Sequence, residues 1–192
     1  PDYDEDPEIE QPYLEPTMTD LIASEPEHDP DVEVPSNNLA VIVYTSGTTD
    51  EPRGVALTHS NLVANALQTR HWISDLEYGR EVFLSVLPIM HCYGMTTAMN
   101  LPVALGSAMV LLPVFELEQV LSHIKIYRPT IFPGVPSMYT AINHAPHVRS
   151  YGLASIKACI SGAAPLPVEV QEEFEKMTRG RLIEGYGLTE AS

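Results

Sequence analysis

From Asn38 onward, apolar positions fall into two rhythms, short continuous runs and helical stripes, and these alternate along the chain. Apolar runs at 39–43, 55–57, 82–87, 108–114, 130–132, 158–160 and 181–186 predict strands. Between them lie helix signals. Ser60 offers a cap for a helix that follows the second run, and 93–105 is a mostly apolar helix candidate. Leu117, Val120, Leu121 and Ile124 fall at i, i+3, i+4 and i+7. Ser137 offers a further cap after the turn at 133–136. Pro167 suits a helix start, with Val170, Phe174 and Met177 on its buried side and Gly180 at its end. The prediction is an α/β fold, a mainly parallel sheet flanked by helices.

In such sheets ligands collect at the carboxyl ends of the strands. Polar or glycine-rich segments follow Val43, Leu87, Phe132, Ile160 and Ile183, and all five are expected at that end. The richest runs Tyr44-Thr45-Ser46-Gly47-Thr48-Thr49-Asp50-Glu51-Pro52-Arg53-Gly54-Val55. Its glycines permit close backbone approach, its hydroxyls donate hydrogen bonds, and Arg53 supplies positive charge, so it suits a bound anion. It is not the G-x-x-x-x-G-K-[ST] loop, because Val55 follows the second glycine. A solvated hairpin turn is the plain alternative.

Charge narrows the picture. The net charge is −16, yet residues 1–33 hold 13 of the 26 acids and no Lys or Arg. The acidity belongs to a Pro-rich arm, taken as residues 1–35, of a composition that favours extended chain. Thr17 can cap a short helix over 18–23 within it. Without a basic stripe and interleaved aromatics, nucleic-acid binding is not expected. No apolar run approaches the roughly 20 residues of a membrane span, so no integral membrane segment is expected, while peripheral contact with a membrane stays open. Two cysteines, Cys92 and Cys159, are too few for a disulfide or metal framework, and with no signal-like start they suit a cytoplasmic setting.

Four ordered segments, spread over residues 36–192, together resemble the adenylate-forming superfamily of acyl-CoA synthetases, luciferases and peptide-synthetase adenylation domains. Residues 44–55 match its phosphate loop, YTSGTTGxPKGV. Leu87-Pro88-Ile89-Met90-His91-Cys92-Tyr93-Gly94 looks like its aromatic-gate segment. Ser161-Gly162-Ala163-Ala164-Pro165 and Glu184-Gly185-Tyr186-Gly187-Leu188-Thr189-Glu190 are similar to its adenine-side motifs. Within the superfamily, 180–192 and the turn at 133–136 look most like bacterial long-chain fatty acid–CoA ligases.

The resemblance implies two half-reactions: a carboxylate attacks the α-phosphate of ATP, and the acyl-adenylate is then captured by coenzyme A. It assigns Thr45, Ser46, Gly47, Thr48, Thr49 and Arg53 to the β- and γ-phosphates, Thr189 to the α-phosphate, and Glu190 to Mg²⁺. Tyr186 would stack on adenine, opposite Gly162, Ala163 and Ala164, with Glu184, Gly185 and Gly187 completing that side. Gly134 and Val135 would border the acyl channel. His91 would gate access rather than move protons. Read alone, Glu190 is a solvated acid, Tyr186 a packed strand aromatic and His91 a loop histidine.

Two positions depart from the motif, Asp50 for glycine and Arg53 for lysine. A carboxylate near polyphosphate is unfavourable, by about 1–4 kcal/mol at 4 Å, and Arg is not equivalent to Lys. Weaker ATP use, relieved by Asp50→Gly, is the expectation. The family's later ribose-binding aspartate, hinge and mobile C-terminal domain have no counterpart here. The chain is therefore expected to be the central part of a larger AMP-binding domain, silent on its own and self-associating. Rival readings are an aryl-CoA ligase, an amino-acid adenylation domain, or a non-catalytic module that keeps the fold. A hydrolase is not expected, since there is no G-x-S-x-G elbow.

Overall fold

The computed structural model describes residues 17–28, 31–45 and 52–192, and the chain divides into two units, Pro1–Val34 and Pro35–Ser192. In the first unit the described helix is α1 (Met18–Ser24), closed at its start by a reciprocal box. The Asp20 N–H donates to Thr17 Oγ1 at 3.2 Å, and the Thr17 N–H donates to the Asp20 carboxylate at 3.0 Å. The Thr17 hydroxyl, which donates to the Asp20 carboxylate at 2.6 Å, and then the Thr17 N–H hold that carboxyl below its usual range.

The second unit opens with β1 (Leu39–Thr45) and β2 (Arg53–Thr58), an antiparallel pair that forms a sheet of its own. The expectation that the first polar segment follows a strand of the parallel sheet is thereby corrected. The reason is length. Seven residues part Thr45 from Arg53, and a parallel crossover needs a dozen or more. Helix α2 (His59–Trp72) follows at once. Its cap is Thr58 rather than Ser60, because Asn61 closes a box with it: Asn61 N–H donates to Thr58 Oγ1, and Thr58 N–H to Asn61 Oδ1.

Five short strands make the main sheet: β3 (Val82–Ser85), β4 (Ala108–Leu111), β5 (Ile131–Gly134), β6 (Ala158–Ser161) and β7 (Arg181–Glu184). All neighbours are parallel, in the order β4-β3-β5-β6-β7. The chain thus steps from β3 to β4 on one side, then crosses to β5 on the other. That reversal is a topological switch point, where open α/β sheets part and hold ligands. Pairing of β3 with β5 is confined to Phe83 and Ile131. Two residues on, Pro133 has no N–H to continue that ladder.

A helical run bridges β3 and β4: α3 (Cys92–Gly94), a π segment (Met95–Asn100) and α4 (Leu101–Ala104). The other crossovers carry α5 (Leu117–Tyr127), α6 (Pro136–Asn143) and α7 (Val168–Glu175). Alternate strand residues point to opposite faces and build two cores. Leu84, Phe132, Cys159 and Leu182 pack with Val120, Leu121 and Ile124 of α5, Tyr139 of α6 and Phe174 of α7. Phe83, Ile131, Ala158 and Ile160 pack with Leu101, Leu105 and Ile73 on the other face.

Element ends differ from the sequence reading in ways that chain chemistry explains. Pro133 and Gly134 belong to β5 rather than to a turn, and Pro136 opens α6 from Val135 without a bond from Ser137. Pro167 is the residue before α7, and β7 stops at Glu184, where Gly185 and Gly187 begin an extended loop. No helix among the described residues is long and apolar enough to cross a membrane.

Candidate functional site

At the carboxyl ends of β6 and β7 a cavity of about 450 Å³ opens beneath α2 and the π segment. Its sheet-side wall is Ile160, Gly162, Ala163 and the loop from Glu184 to Leu188; its helix-side wall is Asn65, Gln68, Thr69 and Trp72 from α2 with His91, Cys92, Tyr93, Thr96 and Thr97. Ala191 and Ser192 close one end.

The sheet-side wall is built for close approach. A Cβ on Gly162 would lie 2.9 Å from the Tyr93 ring, so this position is glycine for steric reasons. Ala163 stands in left-handed backbone, with φ of 68°. That is unusual for a residue with a side chain and marks stored strain at the site. The Gly185 N–H donates to the Ser161 carbonyl at 2.7 Å, which ties the loop after β7 to β6. Beyond it the Tyr186 ring is 91% exposed, so the strand-core alternative for this residue fails. A flat aromatic face beside bare glycine backbone suits a planar ring as ligand.

Tyr93 is the pillar between the walls. Its hydroxyl lies 2.9 Å from the Gly134 carbonyl and 2.7 Å from that of Ile160, across the gap between β5 and β6. Burial pushes this hydroxyl well above its ordinary pKa, so it stays protonated and donates. Gly134 therefore sits behind Tyr93, and neither it nor Val135 lines the cavity; the expectation that they border a channel does not describe this cavity.

His91 lines the cavity from the start of α3, where its Nδ1 accepts the Tyr93 N–H at 3.2 Å. As a cap, His91 positions the turn that carries Tyr93 into the cavity. Cys92 Sγ lies 3.8 Å from His91 Nδ1 and 3.7 Å from Thr189 Oγ1, which brings Thr189 to the cavity's edge. Glu190 is exposed beside it, in the turn Thr189–Ala191.

Of the residues singled out from sequence, the cavity brings together His91, Gly162, Ala163, Glu184, Gly185, Tyr186 and Gly187. Ala164 is exposed just outside. Thr45 and Arg53 pair at the loop end of the β1–β2 hairpin and are not among the lining residues, although β2 itself packs against the Thr189–Ala191 turn. Ser46, Gly47, Thr48, Thr49 and Asp50 lie outside the described residues. Among the described residues the lining holds one carboxylate, Glu184, and no Lys or Arg. Among the described residues no cluster of three His, Cys, Asp or Glu forms a metal site. A single carboxylate such as Glu190 still fits Mg²⁺, which commonly takes one or two carboxylates and completes its shell with phosphate and water.

Sequence reasoning missed the contribution of α2. Asn65, Gln68, Thr69 and Trp72 are spaced i, i+3, i+4 and i+7, a polar stripe at helical period. The signal was present as a stripe on the helix that follows the anion loop.

Comparison with known proteins bears on the same region. The family model for the AMP-binding enzyme matches residues 2–192. A long-chain-fatty-acid–CoA ligase of Bacillus subtilis (strain 168) is 48% identical over 158 residues, covering 82% of this chain and 28% of that protein. A 4-coumarate:CoA ligase 1 of Petunia hybrida is 36% identical, covering 86% and 31%. Among solved structures, ATP-bound MatB from Rhodopseudomonas palustris superposes with a TM-score of 0.78 at 31% identity, over 90% of this chain and 33% of that one. The chain spans about a third of the length of the relatives it matches.

Proposed function

We propose, for a chain that belongs to the AMP-binding enzyme family, that residues 36–192 are the nucleotide-grasping core of an AMP-forming acyl-CoA ligase, with residues 1–35 an acidic linker. The parent enzyme joins a carboxylic acid to ATP and hands the acyl group to coenzyme A. A fatty acid is the favoured substrate, since identity to the fatty-acid ligase, 48%, exceeds the 36% to the 4-coumarate ligase. An aryl acid is the second reading, supported by that same 36% relative.

One observation carries the reading: a cavity at the sheet's carboxyl end that joins a free aromatic face, Tyr186, to a glycine wall, Gly162 and Gly185. Adenine lies against Tyr186, with Gly162, Ala163 and Ala164 opposite and Glu184 and Gly187 at the rim. Thr189 donates to the α-phosphate. Thr45, Ser46, Gly47, Thr48, Thr49 and Arg53 hold the β- and γ-phosphates and the departing pyrophosphate. Because the lining has no cation, Arg53 and a Mg²⁺ held by Glu190 must supply the neutralising charge. Bound there, Mg²⁺ would spread the charge that accumulates as pyrophosphate leaves.

The rest is positioning. A carboxylate oxygen of the acid bonds to the α-phosphorus as the bond to pyrophosphate breaks. The thiol sulfur of coenzyme A then bonds to the acyl carbon, AMP leaves with the electron pair, and the thiol proton passes to solvent. His91 and Tyr93 shape the entrance and the wall. A cytoplasmic enzyme with small-molecule partners fits this chemistry.

Trp72 is the one tryptophan of the chain and lines the cavity. Its fluorescence should shift on titration with AMP, and Tyr186→Ala should weaken that response. A spectrum that ignores AMP at millimolar concentration overturns the nucleotide reading.

A further inference from the structure

Thr189 and Glu190 stand on a slight support. The chain from Gly185 to Leu188 is extended and lies beyond the last residue of β7 paired with β6. Its surroundings are open: Tyr186 is 91% and Leu188 51% exposed, and a Cβ on Gly187 would meet nothing within 4 Å. The turn Thr189–Ala191 that follows is a single turn of 3-10 helix. The Ala191 N–H donates to the Leu188 carbonyl at 3.0 Å and the Ser192 N–H to the Thr189 carbonyl at 3.1 Å. Those bonds close the turn on itself without fixing where it lies. A segment with so few packed contacts opens locally at little cost unless something else holds it.

Helix α2 holds it. Asn65 Nδ2 donates to the Ala191 carbonyl at 3.3 Å and to the Ser192 backbone oxygen at 2.5 Å. Thr69 Oγ1 donates to Asn65 Oδ1 at 3.4 Å, which leaves the amide nitrogen facing the turn. One helical turn earlier, the Asn61 carbonyl accepts from Ser192 Oγ at 3.4 Å. Asn61, Asn65 and Thr69 are spaced four apart, so the grip belongs to one face of α2. Donation is what the site needs, because an aspartate at 65 would offer acceptors alone to the turn's carbonyls. Helix α2 also starts where β2 ends, and β2 leads out of the anion segment. One helix thus ties together the two segments proposed to hold phosphate.

We infer that Asn65 is the positioning residue for the α-phosphate contact: its amide fixes the turn from which the Thr189 hydroxyl meets that phosphate. This rests on the nucleotide reading above and adds to it a residue that acts through Thr189.

Trp72 lies on the same helix, lines the cavity and reports binding. Titrations with AMP, and with adenosine, which lacks the phosphate, separate phosphate contact from adenine contact. In the unmodified chain AMP should bind at least about tenfold more tightly than adenosine, the span of one hydrogen bond to a charged group. Asn65→Ala should erase most of that preference and leave adenosine affinity unchanged, and alanine, the best helix former, keeps α2 intact. Thr189→Ala should do the same. The double variant should bind AMP no more weakly than Thr189→Ala alone, because Asn65 acts through Thr189. Additive losses in the double variant would mean that the Asn65 amide touches the phosphate itself. An AMP preference that survives Asn65→Ala, or a loss equal for AMP and adenosine, would make Asn65 a structural wall residue. Each of these results overturns the inference, as does equal binding of AMP and adenosine by the unmodified chain, while the adenine site stands. A chain that answers neither AMP nor adenosine sinks the nucleotide reading, and this inference with it.

Discussion

Tyr93 and Tyr139 reach one acceptor from two elements: their hydroxyls lie 2.7 and 2.8 Å from the carbonyl oxygen of Ile160. Each has a second carbonyl in range, Gly134 for Tyr93 and Phe132 for Tyr139, both at 2.9 Å. Each hydroxyl has only one proton, so two donors serve three carbonyls along the β5–β6 seam. Burial holds both hydroxyls protonated by raising their pKa values. The bonds fix the strand ends from which the cavity wall grows.

Removing either hydroxyl alone should therefore be mild, because the other can turn to the shared carbonyl. Tyr93→Phe and Tyr139→Phe should each lower stability by about 1 kcal/mol. The double variant should lose about 0.5–1 kcal/mol more than the two added together, as both donors to Ile160 go. Urea denaturation of the four proteins measures this. Strict additivity would show that the two tyrosines do not share the acceptor.

The wall residue Gly162 admits no methyl group unless the Tyr93 ring shifts, its Cζ being 2.9 Å from the added carbon. Gly162→Ala should cost about 1–3 kcal/mol by overpacking and abolish the Trp72 response to AMP. Normal AMP binding by a destabilised variant would place the nucleotide elsewhere.

Ala163 makes the opposite case. Left-handed backbone costs an alanine about 1–2 kcal/mol, while glycine there adds roughly 0.4–1 kcal/mol of unfolded-state entropy. The strain wins, so Ala163→Gly should raise stability by about 0.5–1 kcal/mol. It should also loosen the wall and weaken AMP binding. Lower stability in urea would show that the φ of 68° is not strained in this setting.

These residues show where sequence reading succeeds and where it stops. Strand order along the chain was legible because β3, β5 and β6 are buried on both faces and read as apolar runs. The pairing of β1 with β2 was legible in the short loop between them, but its separation from the main sheet was not, since period alone cannot say which strands join one sheet. Gly162 and Tyr186 were legible as motif positions, yet the reason for Gly162 is the Tyr93 ring, a contact 69 residues away in sequence.

A pH dependence follows from the amino ends of the strands, opposite the cavity. Glu81 is 2% exposed and accepts from the Glu77 N–H at 2.8 Å, from Lys157 Nζ at 2.6 Å, and from Thr130 Oγ1. Burial alone would raise its pKa, but the Glu77, Lys157 and Thr130 bonds together outweigh burial and lower it. The unfolded chain thus binds this proton more readily than the folded one. The contribution is complete above the unfolded carboxylate value, near 4.3, and fades as pH falls through the lowered folded value. Lys157→Met removes the ion pair and should cost about 1–3 kcal/mol at pH 7, less than the roughly 3–5 kcal/mol of a fully buried pair because Lys157 is one-third exposed. Near pH 3 that difference should shrink, as Glu81 protonates without its partner. A penalty equal at both pH values in urea titrations would mean that Lys157 acts by packing alone.

The last expectation concerns association. Helices α2 and α4 pack together yet leave Val63 58% and Val103 64% exposed, with Leu67 exposed nearby on α2. Branched apolar groups exposed to water favour burial against another surface, at roughly 25 cal/mol per Å². Light scattering should show a mass that grows with concentration. The pair Val63→Glu and Val103→Glu should hold it at the monomer value while circular dichroism stays the same, because neither side chain is in the core. A chain that is monomeric at every concentration, or a variant that associates as before, would mean that these residues do not form a contact surface.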